Sequence, residues 1–104
     1  MSESSDREAI VSEFAGDPDM LELVEFFVGQ MPERVRQLRQ SFETGSLDEL
    51  RTLAHQLKGA GGSYGFPQIS ESARRLEKQS EAAEFAEVRR GLDDLIDLCN
   101  RVRM

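Results

Sequence analysis

The chain contains no tryptophan, one tyrosine, one cysteine, one histidine and three prolines in 104 residues. A single cysteine, Cys99, excludes an internal disulfide. One cysteine and one histidine far apart in sequence are also a poor basis for a structural zinc site. Basic residues are the minority, thirteen Lys and Arg against twenty Asp and Glu, for a net charge of -7 and a pI near 4.7. This balance argues against wholesale binding to nucleic acid or anionic lipid and leaves a basic partner or a local basic patch open. Apolar runs such as Phe26–Val28 are far too short to span a bilayer. The stretch Met1–Ile10 has no basic region followed by an apolar core, so no secretory leader is expected and the chain reads as a soluble cytoplasmic protein. Without repeats, linkers or low-complexity tracts, residues 1–104 are expected to form one domain.

Apolar residues recur at helical spacing, with no strand-like alternation to compete, so the expected fold is all-α. A short first helix is expected over Asp6–Ala15, with Ile10, Val11 and Phe14 on one side and Gly16 ending it. Asp17 has the character of an N-cap and Pro18 that of a first helical residue for a second helix. Its seam is Leu21, Val24, Val28, Met31, Val35, Leu38 and Phe42, in phase across Pro32, and Gly45 closes it. Phe26 and Phe27 cannot both occupy the centre of that seam, and one is expected to pack under the first helix. The tetrad Ser46–Glu49 matches a capping box for a third helix, whose buried stripe is Leu47, Leu50, Ala54, Leu57 and Gly61. Gly65 and Pro67 mark the next turn, and Ile69, Ala73 and Leu76 start a fourth helix. The stripe Phe85, Val88, Leu92, Leu95, Cys99 and Val102 is out of phase with Leu76, which requires a break near 79–83 although no glycine or proline marks one. The expectation is an antiparallel up-down four-helix bundle with a short additional N-terminal helix.

The segment Ala54–Gly65, AHQLKGAGGSYG, sets the only histidine beside a lysine and spends four glycines within a few turns. Each interior glycine costs a helix about 1 kcal/mol relative to alanine, a cost that core packing does not require. A lone histidine in a bundle is ordinarily a core residue. At about 100° per residue, however, His55 lies roughly 120° from the centre of its helix's buried stripe, with Lys58, Gly59 and Gly62 within about 60° of it. Gly59 and Gly62, one and two turns on, clear the surface beside the imidazole so that a bulky partner can approach. An exposed imidazole, with an ordinary pKa of about 6.5, keeps a free nitrogen lone pair near neutral pH and is a usable nucleophile. Phosphoryl transfer needs open in-line approach and positive charge near the equatorial oxygens. Lys58 at i+3 can supply that charge, Arg51 at i−4 can add to it, and Lys58 read alone is equally an ordinary solvated lysine.

His55, Leu57, Lys58, Gly59 and Gly65 in HQLKGAGGSYG resemble the signature of histidine-containing phosphotransfer (HPt) domains, which runs His-x-aliphatic-Lys-Gly, then small residues and a glycine near the turn. The amphipathic ISESARRLE that follows is also similar, and with the helix order the resemblance covers essentially the whole chain. It implies that His55 accepts a phosphoryl group from a receiver-domain aspartyl phosphate, on its distal ring nitrogen, and passes it to another receiver's aspartate. It further implies that Lys58 stabilises the phosphoryl oxygens, Gly59 keeps access open, and Gly65 permits the turn. The implied partners are receivers of hybrid histidine kinases and of response regulators, which would bring the magnesium ion, to a carrier expected to be monomeric.

No glycine-rich nucleotide loop and no acidic cluster spaced for magnesium occur, so the chain is expected to be a carrier with no ATP-dependent kinase activity, no metal and no cofactor of its own. Docking is expected on the face around His55, with Arg51, Gln56, Tyr64, Phe66, Ile10, Val11 and Phe14 as candidate contacts; the apolar ones serve equally as core, and core is favoured for Phe14. Arg34, Arg36 and Arg39 are ordinarily a solvated face that could steer an acidic receiver, while Asp93, Asp94 and Asp97 suit solubility better than a site. Cys99 falls on an apolar stripe and reads as core. Two other classes compete. A helical adaptor could bind receivers without being phosphorylated, but it has no need of the histidine with its lysine and glycine. A hydrolase with His55 as base would need a nucleophile and an orienting carboxylate converging on the ring, which the spacing does not reveal. The initiating methionine and self-contained layout favour a free-standing protein over a piece of a larger kinase.

Overall fold

Four apolar stripes at helical spacing become four helices in the computed structural model, which describes residues 8–104. In chain order they are α1 (Leu21–Glu43), α2 (Leu47–Ser63), α3 (Pro67–Ala82) and α4 (Phe85–Arg101). A two-residue strand on either side, β1 (Ile10–Val11) and β2 (Val102–Arg103), joins the two ends of the described chain in parallel register, Ile10 opposite Val102 and Val11 opposite Arg103. The helices give the core Val24, Phe27, Met31, Val35 and Leu38 of α1, Leu50, Ala54 and Leu57 of α2, Ile69, Ala73 and Leu76 of α3, and Val88, Leu92, Leu95, Ile96 and Cys99 of α4, and Ile10, Phe66 and Val102 join them from outside the helices. Each helix's set repeats at steps of three and four, with Ile96 added beside Leu95 to widen the α4 stripe, so burying one stripe per helix satisfies all four at once.

The expected N-terminal helix is absent from the described residues. Residues 8–15 run as a strand and turns, and residues 6–7 lie outside the described part. Ile10 and Val11 are β-branched, the segment is too short to meet the cost of helix nucleation, and pairing with Val102 gives its backbone a partner that local sequence cannot reveal. Asp17 likewise does not cap α1. Its Oδ1 accepts from the Asp19 N–H at 3.0 Å and its carbonyl from the Met20 N–H at 2.9 Å, closing a separate turn around Pro18, so the helix begins at Leu21.

Within α1 the helix runs through Pro32 without interruption. Leu21, expected in the seam, is exposed in the first turn, and Val28 and Phe42 are half-buried at the stripe's edges. Of the two adjacent phenylalanines, Phe27 is fully buried and Phe26 is 63% exposed. Phe27 packs on the rings of Tyr64 and Phe66, at centroid distances of 5.2 and 5.3 Å, rather than under an N-terminal helix.

Gly45 adopts φ +75° just past α1, where left-handed backbone favours glycine, and Ser46 stands at the N-cap of α2. The side-chain bonds of a capping box are not made there; Ser46 contributes its carbonyl, which accepts from Leu50. Pro67 opens α3. The break between α3 and α4 falls at Ala83, which takes the left-handed conformation at φ 58°. Phe85, read as part of the last buried stripe, is 53% exposed, with its ring tilted against that of Phe42.

Candidate functional site

His55 is in the middle of α2 with its side chain 64% exposed, on the wet side of the helix. Its neighbour across the helix pair is Glu77 of α3, whose side chain is only 14% exposed. Glu77 Oε2 lies 3.0 Å from His55 Nδ1, and Glu77 Oε1 lies 3.0 Å from Lys58 Nζ. One carboxylate thus spans the histidine and the lysine that the helical spacing sets side by side. An ionised carboxylate only accepts, so the ring nitrogen facing Glu77 must carry the hydrogen, and in the neutral ring the lone pair is left on Nε2. The hydrogen bond from Lys58 holds the Glu77 carboxyl below the usual carboxylate range, with a smaller contribution in the same direction from His55. Sequence reasoning missed Glu77. A signal was there: reflecting His55 through the turn at Gly65 lands about ten residues beyond it, within a turn of Glu77 on the flank of α3.

The glycines after His55 divide by what surrounds them. A Cβ on Gly59 would meet nothing within 4 Å, and one on Gly62 would touch only Ser70 Oγ at 3.7 Å, so both leave open surface beside the ring. Gly61 faces inward, where a Cβ would come within 3.0 Å of the Ser70 nitrogen and 3.1 Å of Ile69 Cγ2; it is there so that α3 can pack close. Gly65 has φ +87°, is buried, and would drive a Cβ into Ser12 Oγ. Ser70 uses that close approach to donate its hydroxyl to the Lys58 carbonyl at 2.8 Å, fixing the backbone of the lysine from the neighbouring helix. This contact had no sequence signature.

The docking candidates separate. Gln56 is exposed one position past His55, and Arg51 is half-buried one turn before it. Tyr64 is half-buried against Phe27. Phe66 is fully buried, stacked on Phe27, and is a core residue, which removes it from any docking surface; its position in a turn hid this. Ile10 is core, Phe14 packs against the core, and Val11 is exposed. In the basic run, Arg36 is paired with Glu33 and Arg34 lies over the Phe27 ring, which leaves Arg39 outward. Asp93 pairs with Arg89 and Asp97 with Arg101 on the surface of α4.

An orienting carboxylate does converge on His55, contrary to the expectation from spacing. The nearby hydroxyl of Ser70 is committed to the Lys58 carbonyl, and Cys99 is buried with its thiol pushed up to about 12 by desolvation, so neither is an activated nucleophile. Among the described residues no group of three or more His, Cys, Asp or Glu is placed to hold a metal ion, and no helix is long and apolar enough to cross a membrane. Compared with known proteins, residues 22–103 match the family model described as Hpt domain. No curated protein and no solved structure matches the chain.

Proposed function

Because the chain belongs to the family of Hpt domains, which carry phosphoryl groups on histidine in phosphorelays and are not kinases, we propose that His55 is its phosphoryl-accepting residue. The group comes from the aspartyl phosphate of one receiver domain and leaves to the aspartate of another, on hybrid kinases or response regulators met by a cytoplasmic monomer. The observation that carries this reading is an exposed ring whose Nδ1 is held by Glu77, one turn before a glycine, Gly59, at which a side chain's first carbon would meet nothing within 4 Å.

The step follows from that geometry. The Nε2 lone pair attacks phosphorus; the N–P bond forms as the P–O bond to the aspartyl carboxylate breaks, and that carboxylate leaves with the electron pair. The ring becomes an imidazolium as its lone pair is used. Glu77, ionised and mostly out of water, faces the Nδ1 hydrogen and stabilises the new positive charge. Lys58, 32% exposed and one turn on, has its ammonium at the same edge of the site and is the cation available to the phosphoryl oxygens. The carboxylate at the ring is already engaged by the Nδ1 hydrogen and the Lys58 ammonium, and the magnesium ion is assigned to the receiver. The exposed Phe26 and Leu23 of α1 offer a receiver an apolar contact.

Replacement of His55 by Gln tests this directly. The variant should keep its helical content and lose all phosphoryl uptake from a phosphorylated receiver; retained labelling would place the acceptor elsewhere.

A further inference from the structure

The end of α2 that makes room for a partner is also its weakest part. Gly59, Gly61 and Gly62 together lower its intrinsic helical stability by about 3 kcal/mol relative to alanine, so contacts from outside the helix must hold it. Ser70 supplies one, through the Lys58 carbonyl. Others come from the N-terminal segment that stands where the first helix was expected. Ser12, buried, donates its hydroxyl to the Tyr64 carbonyl at 2.6 Å and accepts from the Phe14 N–H at 2.9 Å. The Glu13 N–H donates to the Gly65 carbonyl at 2.8 Å. Gly65 is without a side chain where Ser12, Glu13 and Phe14 press against it. The segment is anchored at its other end, with Ile10 buried and paired to Val102.

We propose that Ile10–Phe14 is a strap that holds the glycine-rich end of α2 in helical form for receiver docking, with Ser12 as its positioning residue. The inference rests on His55 being the phosphoryl acceptor. Ser12 does not touch the imidazole; it acts on Tyr64 and Gly65, at the point where the amides of Tyr64, Gly65 and Phe66 close the helix on the carbonyls of Ala60, Gly62 and Gly61. With the strap released, that end frays, and a docking receiver must order Gly59 to Gly62 as it binds. The chemistry at Nε2 is untouched. Loss of the strap therefore slows transfer from a protein donor and leaves transfer from a small donor alone.

Two variants test this. Ser12→Ala removes the hydroxyl, and Glu13→Pro removes the N–H bonded to Gly65 and leaves Ser12 in place. For each, amide hydrogen exchange is recorded, together with phosphoryl uptake from a phosphorylated receiver across a range of receiver concentrations. Uptake is also recorded from phosphoramidate, which gives up its phosphoryl group with release of ammonia and needs no docking surface. The expected result is about tenfold faster exchange at Tyr64, Gly65 and Phe66 with Leu95 and Ile96 unchanged. Receiver-dependent uptake should fall about threefold or more, through a raised half-saturating receiver concentration, while the phosphoramidate rate stays at the wild-type value. Unaltered receiver transfer in both variants overturns the strap. So does exchange that rises equally at Leu95 and Ile96, which would make Ser12 a contributor to global stability only, and so does an equal loss with phosphoramidate. If the wild-type protein takes phosphoryl groups from phosphoramidate and from no receiver, the parent reading fails and the strap's role in docking fails with it; receiver transfer by wild type with unaltered variants refutes the strap alone.

Discussion

Gly59 and Gly61 are two residues apart on one helix and answer opposite demands. Gly61 is on the buried face, where α3 comes so close that a single carbon would press on backbone. Gly59 is on the wet face, where an added Cβ would meet nothing within 4 Å. The same residue type is thus required by packing on one side of α2 and idle for packing on the other, and the second case is the one that calls for a functional reason. The contrast extends along both faces: Leu50, Ala54 and Leu57 are fully buried beside Gly61, while His55, Lys58 and Gly62 accompany Gly59.

The largest effect expected from this contrast is on transfer. Gly59→Leu should leave the fold at least as stable as wild type, since leucine is a far better helix former, and should cut receiver-dependent transfer to His55 on the order of tenfold or more by occupying the cleared ground. Normal transfer by this variant would remove the access argument. Next in size is the stability contrast itself. Gly61→Ala should destabilise by about 1–3 kcal/mol as its Cβ presses on the Ser70 nitrogen. Gly59→Ala should stabilise by about 0.5–1 kcal/mol, and urea denaturation of the two variants should shift the midpoint in opposite directions. Glu77→Gln keeps a hydrogen-bond acceptor for Nδ1 but loses the charge opposite the imidazolium, so transfer should slow about tenfold with little change in unfolding midpoint.

The smallest expected effect is one of pH. The Glu77 carboxyl is depressed in the folded state, principally by Lys58, so the unfolded chain binds a proton there more readily than the folded one. Its contribution to stability is therefore present above the ordinary carboxylate value of 4.5 and is lost as pH falls below it through the lower folded value. NMR titration of the Glu77 side chain should give a midpoint below 4.5, and Lys58→Ala should raise it.

The four helices were legible because each buries one stripe, and a stripe repeating at three and four residues has one structural meaning. Gly45 and Pro67 were legible as punctuation for reasons local to the backbone. The outward aspect of His55 followed from counting around a single helix. What the sequence hid depends on partners far away in the chain. Ile10 and Val11 fit a helix by spacing and become a strand because Val102 lies alongside. Glu77 reaches His55 only through the register between two helices, and Phe66 is buried because Phe27 of α1 covers it. Ala83 turns the chain in a conformation that composition assigns to glycine, which is why the last break could be required by phase yet not marked.

The most direct test of the central claim is nitrogen-15 NMR of the His55 ring before and after phosphoryl uptake from a phosphorylated receiver. The account predicts a hydrogen on Nδ1 in both states and a phosphorus coupling that develops on Nε2 of this residue. Phosphorus on Nδ1, or a ring that stays unmodified while the receiver loses its phosphoryl group to the protein, would contradict it.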